Sequence, residues 1–137
     1  MVEKAVVTPL WRKGMTLASA LFLGAWLGAA PVLARDSSAP DLPVVALTEL
    51  PAQAQRAHEL VLAGGPFPYA KDGTVFGNRE RLLPKKPRGH YREYTVKTPG
   101  ARNRGARRLV CGGKPPVKPE VCYYTEDHYS SFRRIVP

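Results

Sequence analysis

The apolar residues of this chain change their spacing along its length. Between residues 50 and 61 they recur every three or four positions, which is the period of one helical face, at Leu50, Ala54, Ala57 and Val61. Pro51 is tolerated in the first turn of a helix, and Gly64-Gly65 supplies a stop after the last turn. These signals predict one helix of about three turns.

Beyond the helix, the apolar segments are short, rich in β-favouring residues and separated by Gly or Pro, which is typical of strands. We predict five strands, at 74–77, 91–97, 107–111, 121–125 and 132–136. One helix followed by consecutive short strands predicts an α+β fold, in which the main helix packs on an antiparallel sheet.

The alternation of side chains along a strand then divides these residues between the two faces of the sheet. Tyr94 and Val96 should point to one face, while Glu93 lies on the other with Thr95. Arg108 and its apolar neighbour Leu109 likewise point to opposite faces of the sheet. Because the helix covers the apolar face, we expect Glu93 and Arg108 on the open face, close enough to share a ligand.

The first 34 residues have the pattern of a secretory signal peptide. Lys4, Arg12 and Lys13 precede an uncharged segment, 15–30, that is rich in Leu, Ala and Gly, and Val32-Leu33-Ala34 favours cleavage after Ala34. This apolar segment is shorter than the roughly 20 residues of a membrane-spanning helix, although an uncleaved membrane anchor is the alternative. Residues 35–46 then predict a flexible N-terminal arm, and residues 47–137 the folded domain.

Cleavage would leave a strongly basic protein. It removes three of the 21 Lys and Arg residues and one of the 11 Asp and Glu residues, so the net charge of the mature chain is +8. This charge favours polyanionic partners, either RNA or acidic proteins. A membrane-active toxin is disfavoured because the predicted helix carries only Arg56 as a cation, and we expect no stable membrane association after cleavage.

Two cysteines, Cys111 and Cys122, remain in a chain that the signal peptide directs to an oxidising compartment. A single disulfide at the neck of the loop between them is the simplest interpretation. A metal site is disfavoured, because the mature chain adds only three histidines, with no zinc-binding spacing. We expect no metal and no cofactor.

Five ordered blocks carry a resemblance to a known family: Gly65-Pro66-Phe67-Pro68-Tyr69, Val75-Phe76-Gly77-Asn78-Arg79-Glu80, Tyr91-Arg92-Glu93-Tyr94-Thr95-Val96, Thr98-Pro99-Gly100-Ala101-Arg102 and Asp127-His128-Tyr129. Together they resemble the small bacterial guanyl-specific ribonucleases, the class that includes barnase and the streptomycete extracellular enzymes. The resemblance runs from about residue 47 to residue 136. It implies the microbial ribonuclease fold and cleavage of single-stranded RNA after guanosine, by transphosphorylation to a 2′,3′-cyclic phosphate that is then hydrolysed without a metal.

The resemblance also implies a role for each residue of the catalytic group. Glu93 matches the general base for the ribose 2′-hydroxyl, and His128 matches the general acid for the departing 5′-oxygen. Arg104 and Arg108 match the phosphate-binding arginines, whose planar guanidinium groups can each hold two phosphate oxygens. A surface carboxylate and a surface histidine would be the ordinary interpretations of Glu93 and His128 without this match.

Base recognition is implied for the loop that contains Phe76, Asn78, Arg79 and Glu80. The Glu80 carboxylate can accept hydrogen bonds from both N1–H and N2–H of guanine, whereas adenine offers no such pair. Asn78 and Arg79 should contribute main-chain N–H groups more than side chains. Tyr129 is either part of the same pocket or a simple core residue, and the sequence does not choose between the two.

The family also suggests a secreted monomer, and the basic charge favours an acidic inhibitor of the barstar kind. The chain departs from the streptomycete pattern because it lacks a disulfide between its two ends, and because the loop between Cys111 and Cys122 is longer. A catalytically inactive module of the same fold, which binds RNA or an acidic protein, is the alternative function.

Overall fold

The structure, a computed structural model, describes residues 40–137. Its elements in chain order are β1 (Val44–Ala46), a short 3-10 helix (Leu47–Glu49), α1 (Ala52–Ala63), β2 (Thr74–Val75), β3 (Tyr91–Thr95), β4 (Arg108–Gly112), β5 (Val121–Thr125) and β6 (Arg133–Val136). The predicted α+β fold is confirmed. The predicted signal peptide, residues 1–34, and the start of the predicted arm, residues 35–39, lie outside the described residues.

The six strands form one sheet in the order β1-β6-β5-β4-β3-β2. The neighbours from β2 to β6 are antiparallel, whereas β1 runs parallel to β6. The sheet therefore differs from the expectation of five antiparallel strands by one added, parallel edge strand. All five predicted strands form, but β2 and β3 each end two residues earlier than predicted, β4 is shifted by one residue, and β6 begins one residue later.

The added strand also corrects the predicted arm. Residues 44–46 are aligned with residues 134–136 of β6, and the Arg134 N–H donates to the Pro43 carbonyl at 2.7 Å. Val45 is buried in the core beneath this edge. The segment up to residue 46 is thus not wholly flexible, because its last three residues complete the sheet.

Helix α1 packs across one face of the sheet. Its buried residues, Ala54, Ala57 and Val61, have the spacing that predicted the helix, and Leu50 is buried just before it. The helix ends at Ala63 and is capped by Gly64, whose left-handed φ of 77° suits glycine. Small alanines on the buried face let the helix approach the sheet closely.

Strand alternation gives the sheet two different faces. Tyr94, Leu109 and Tyr124 point into the core beneath the helix. Tyr91 and Val110 point the other way, into a second core with Leu83, Tyr123 and Phe132. The face predicted to be open is therefore covered at one end, and Glu93 and Arg108 lie on its uncovered part.

The Cys111–Cys122 disulfide joins directly opposed residues of β4 and β5. Both cysteines are buried in the core under the helix. The predicted disulfide is confirmed, and it closes the loop that connects these two strands.

Candidate active site

Glu93 is the centre of a hydrogen-bonded group on β3. Arg104 Nη2 donates to Glu93 Oε1 at 3.1 Å, and Arg104 Nε donates to Thr95 Oγ1 at 2.9 Å. The Tyr129 hydroxyl donates to the other carboxylate oxygen, Oε2. The side chain of Glu93 is 14% exposed, so a ligand can still reach it. Two donors thus fix the orientation of a carboxylate at the edge of solvent.

Tyr129 connects this group to the surrounding aromatic residues. Burial and the hydrogen bond to Glu93 raise the pKa of its phenol to about 12, against an opposing effect of the nearby Arg108 guanidinium. The phenol therefore stays protonated at neutral pH and keeps donating to Glu93. The sequence did not decide whether Tyr129 is a pocket residue or a core residue. In the structure its hydroxyl bonds to Glu93, and its ring packs against the second core.

Arg108 lies on the same face of the sheet, but it does not pair with Glu93. Its side chain is buried, and Nη1 donates to the carbonyls of Arg107 at 2.7 Å and Gly105 at 3.0 Å. No carboxylate of residues 40–137 forms an ion pair with it. A buried cation without a paired anion is costly in an isolated protein, so this position favours an anionic ligand.

Asp72 is a supporting residue to which the sequence patterns gave no role in the site. Its carboxylate accepts the Thr95 N–H at 2.7 Å and the Tyr69 N–H at 3.3 Å, and it lies 3.9 Å from Arg104 Nη2. The side chain is only 2% exposed. Asp72 thereby connects the loop before β2 to the strand that carries Glu93. Its carboxylate is also a second negative charge beside Arg104, in addition to that of Glu93.

The loop that carries Arg104 needs a glycine at position 105. Gly105 has a φ of 64°, and a Cβ atom there would lie 2.5 Å from Thr98 Oγ1. Both the left-handed backbone and the close approach exclude a larger side chain without movement. This glycine fixes the path of the chain between Arg104 and Arg108.

His128 and Tyr129 lie in a turn with unusual backbone angles. Their φ values are 53° and 70°, in the left-handed region that non-glycine residues seldom adopt. Asp127 holds the turn, because its carboxylate accepts hydrogen bonds from Thr125 Oγ1 and from the N–H and hydroxyl of Ser131. These bonds, with the Ser131 hydroxyl contributing most, hold the pKa of Asp127 below its usual value.

The same turn is attached to the arginine loop. The His128 N–H donates to the Ala106 carbonyl at 3.1 Å, and the Tyr129 N–H donates to Thr125 Oγ1 at 3.2 Å. The imidazole of His128 is exposed, with its ring 4.9 Å from that of Tyr129. The structure thus presents a solvent-accessible imidazole beside the Glu93 group.

A cavity of about 660 Å³ opens next to Tyr129. Its walls include His128 and all of the residues predicted for base recognition: Phe76, Asn78, Arg79, Glu80 and Tyr129. The ring of Phe76 lies 5.0 Å from that of Tyr129 and 5.9 Å from that of Phe132. The cavity therefore combines an aromatic wall with the Glu80 carboxylate.

Within this cavity, the side chain of Asn78 supports the loop. It donates to the Leu83 carbonyl at 2.9 Å and accepts the Leu83 N–H at 3.1 Å, which stabilises a left-handed φ of 48° at Asn78. In the described part of the chain, the N–H groups of Asn78, Arg79 and Glu80 donate to no backbone carbonyl. The loop thus presents main-chain donors, while the side chains of Arg79 and Glu80 are exposed.

The described residues contain neither a metal-binding cluster of side chains nor a membrane-spanning helix. Between Pro40 and Pro137, no three or more His, Cys, Asp or Glu side chains are grouped so as to hold a metal ion. In the same part of the chain, every helix is too short or too polar to cross a membrane.

Comparison with known proteins identifies the relatives of this chain. A family model described as ribonuclease matches residues 34–136. Guanyl-specific ribonuclease St of Saccharopolyspora erythraea is 53% identical over 89 residues, which are 65% of this chain and 83% of that protein. Guanyl-specific ribonuclease Sa3 of Kitasatospora aureofaciens is 52% identical over 91 residues, which are 66% of this chain and 62% of that protein.

Solved structures show the same likeness. The structure of ribonuclease Sa2 in complexes with mononucleotides has 48% sequence identity and a TM-score of 0.66, and it covers 72% of this chain and 97% of its own. A crystal structure of ribonuclease Sa2 with guanosine-2′-cyclophosphate has 48% identity and a TM-score of 0.64, with 70% and 97% coverage. The identity is high enough for both fold and family to be shared.

Proposed function

This chain belongs to the guanyl-specific microbial ribonuclease family, and from that premise we propose how its residues carry out the reaction. The protein is an endoribonuclease that cleaves RNA after guanosine through a 2′,3′-cyclic phosphate. Three requirements follow from this chemistry: a base for the 2′-hydroxyl, an acid for the 5′-oxygen and positive charge around the phosphorane. A pocket for guanine completes the site.

Glu93 is the general base of the proposal. One observation carries this assignment: Arg104 and Tyr129 each donate to one oxygen of a carboxylate that is still partly exposed. In the first step, Glu93 takes the proton of the 2′-hydroxyl as the 2′-oxygen bonds to phosphorus. The bond between phosphorus and the 5′-oxygen breaks at the same stage.

His128 is the general acid, and it gives its proton to the departing 5′-oxygen. Its exposure and its position on the wall of the base cavity support this role. In the second step the roles reverse: His128 takes a proton from water, the water oxygen attacks phosphorus, and Glu93 protonates the 2′-oxygen as its bond to phosphorus breaks. The product is a 3′-phosphate.

Arg104 and Arg108 provide the positive charge. Arg104 adjoins Glu93, and Arg108 is a buried cation that no carboxylate of the described chain neutralises. A phosphate that gains negative charge in the transition state is the ligand best suited to this pair. Because Arg108 is held by loop carbonyls before substrate arrives, little reorganisation is needed when that charge develops.

Guanine binds in the cavity of about 660 Å³. Its ring packs against Phe76 and Tyr129, the Glu80 carboxylate accepts from N1–H and N2–H, and main-chain N–H groups of the loop reach O6. The side chain of Asn78 maintains the shape of the loop, and Arg79 contributes its N–H. Tyr129 then serves both the base and the Glu93 carboxylate.

The biological setting extends the proposal. Residues 1–34 act as a signal peptide, and cleavage after Ala34 releases the enzyme to the extracellular medium as a monomer without stable membrane association. The ribonuclease domain of the mature chain includes β1 and residues 47–137. An acidic inhibitor of the barstar kind is a suitable protein partner, because the mature chain carries a net charge of +8.

Two substitutions test the assignments separately. We expect Glu93→Ala to lower kcat by at least roughly two orders of magnitude, the usual effect of losing a general base, while the melting temperature changes little. We expect Glu80→Ala to reduce the preference for GpA over ApA while the protein still cleaves RNA. A fully active Glu93→Ala variant would refute the base assignment, and unchanged base preference in Glu80→Ala would place guanine recognition elsewhere.

A further inference from the structure

A second groove adjoins the guanine cavity. It has a volume of about 590 Å³ and shares with that cavity the wall formed by residues 76–79. Its other side is the segment between Lys86 and Gly89, and Tyr91 of β3 forms part of its floor. The loop of residues 76–79 therefore separates the groove from the guanine cavity.

The two cavities differ in charge. The groove is lined by three cations, Arg79, Lys86 and Arg88, and by no carboxylate, whereas the guanine cavity contains Glu80. Within the described chain, none of these three cations forms an ion pair. Their charge is thus available to a ligand, and the chemistry that fits is a phosphodiester backbone.

The segment that carries Lys86 and Arg88 is braced at both ends. The Tyr91 hydroxyl donates to the Pro84 carbonyl at 2.6 Å, and the His90 N–H donates to the Pro87 carbonyl at 3.1 Å. The two prolines restrict the backbone further. The groove is therefore formed before a ligand binds, because the backbone that carries Lys86 and Arg88 is already held in place.

We propose that this groove is a subsite for the RNA backbone outside the scissile dinucleotide. The enzyme then binds a longer single strand than its chemistry requires, with at least one phosphate of a flanking nucleotide between Arg79, Lys86 and Arg88. The proposal rests on the proposed function, since it presumes that guanine occupies the neighbouring cavity. Binding in this groove differs from general electrostatic attraction, because it depends on the positions of the cations and not only on the net charge.

A matched pair of charge variants tests this dependence. Lys86→Ser/Arg88→Ser removes two charges from the groove. Arg56→Ser/Lys118→Ser removes two exposed charges elsewhere: Arg56 lies on α1, and Lys118 lies in the loop whose Val117 approaches Gly64 at the end of that helix. Both variants have the same net charge, so the difference between them reports position alone.

The substrates are GpA, and GpA extended by uridines on its 5′ side or on its 3′ side. For the groove variant, we expect kcat/KM on GpA to stay within about twofold of wild type, and to fall on the order of tenfold at low salt on at least one extended substrate. The control variant should show a smaller loss of kcat/KM on both extended substrates. The extension that loses activity identifies the side of guanosine that enters the groove.

A binding measurement gives a readout that does not depend on catalysis. An oligonucleotide with 2′-deoxyguanosine at the scissile position lacks the attacking hydroxyl, so its Kd can be measured by fluorescence anisotropy over a range of salt. Loss of the contact with one flanking phosphate should reduce the slope of log Kd against log salt by about 0.7, the contribution of each neutralised phosphate of a single strand.

Equal loss in the groove and control variants would overturn the proposal, and so would an unchanged salt slope. Failure of the proposed function has a different signature: wild-type protein would then not cleave GpA at all. The two failures are therefore distinguishable in the same set of assays.

Discussion

Replacement of Asp72 by alanine should destabilise the protein more than it impairs the chemistry. The substitution leaves two N–H groups, those of Thr95 and Tyr69, without their acceptor. Hydrogen bonds to a charged group contribute about 1.5–3 kcal/mol each, and the bond from Tyr69, at 3.3 Å, belongs at the weak end. We expect a loss of about 3 kcal/mol in the free energy of unfolding.

For a domain of this size, such a loss lowers Tm by roughly 12 °C or more. Differential scanning calorimetry and urea unfolding measure it directly. Asp72→Asn retains one acceptor for the Thr95 N–H, so it should lose less stability than Asp72→Ala. At a temperature where both variants are folded, kcat should fall by less than in Glu93→Ala, because Arg104 keeps its bonds to Glu93 and Thr95.

A loss below about 1 kcal/mol in Asp72→Ala would refute the reasoning, since a buried acceptor of two backbone groups cannot be removed so cheaply. Equal stability of the Asn and Ala variants would contradict the role of the Thr95 N–H specifically. A loss of kcat as large as that of Glu93→Ala would mean that Asp72 acts on the chemistry and not only on the position of the strand.

Three further outcomes are expected. Cys111→Ala/Cys122→Ala should cost about 3 kcal/mol for the loop it opens, seen as a lower urea midpoint, with kcat unchanged while the protein is folded. Asp127→Asn should be less stable than wild type at neutral pH; since the folded pKa of Asp127 is lowered, the difference in urea midpoint should shrink as the pH falls below the ordinary value of 3.8. Gly105→Ala should lose both stability and activity, and Thr98→Ala in the same chain should restore part of each, because it removes the Oγ1 that the new Cβ would meet.

Local patterns were sufficient to predict the helix and the faces of the central strands. The helix required only a period of three to four residues and a glycine stop, and strand alternation placed Glu93 and Arg108 on one face. Both signals act within a few residues of chain. Strand β1 was missed because its pairing with β6 joins segments about 90 residues apart, and a three-residue strand after Pro43 has no local signature.

For the site too, the sequence predicted some features and not others. The family blocks pointed to the residues that line the base cavity, and all of those named for base recognition line it together. The hydrogen bond that Asp72 accepts from the Thr95 N–H, in the strand that carries Glu93, could not be predicted, because these two residues come from different segments and meet only in the folded chain. The sequence likewise suggested that Glu93 and Arg108 share a ligand, but it could not show that Arg104 is the arginine in contact with Glu93.

The most direct test of the whole account is product analysis on an RNA that contains a single guanosine among uridines and adenosines, digested in EDTA by the mature protein. We expect cleavage only on the 3′ side of that guanosine, with a 2′,3′-cyclic phosphate that appears first and a 3′-phosphate that replaces it. Cleavage at other nucleotides with equal efficiency, products that carry a 5′-phosphate, or no cleavage at all would contradict it.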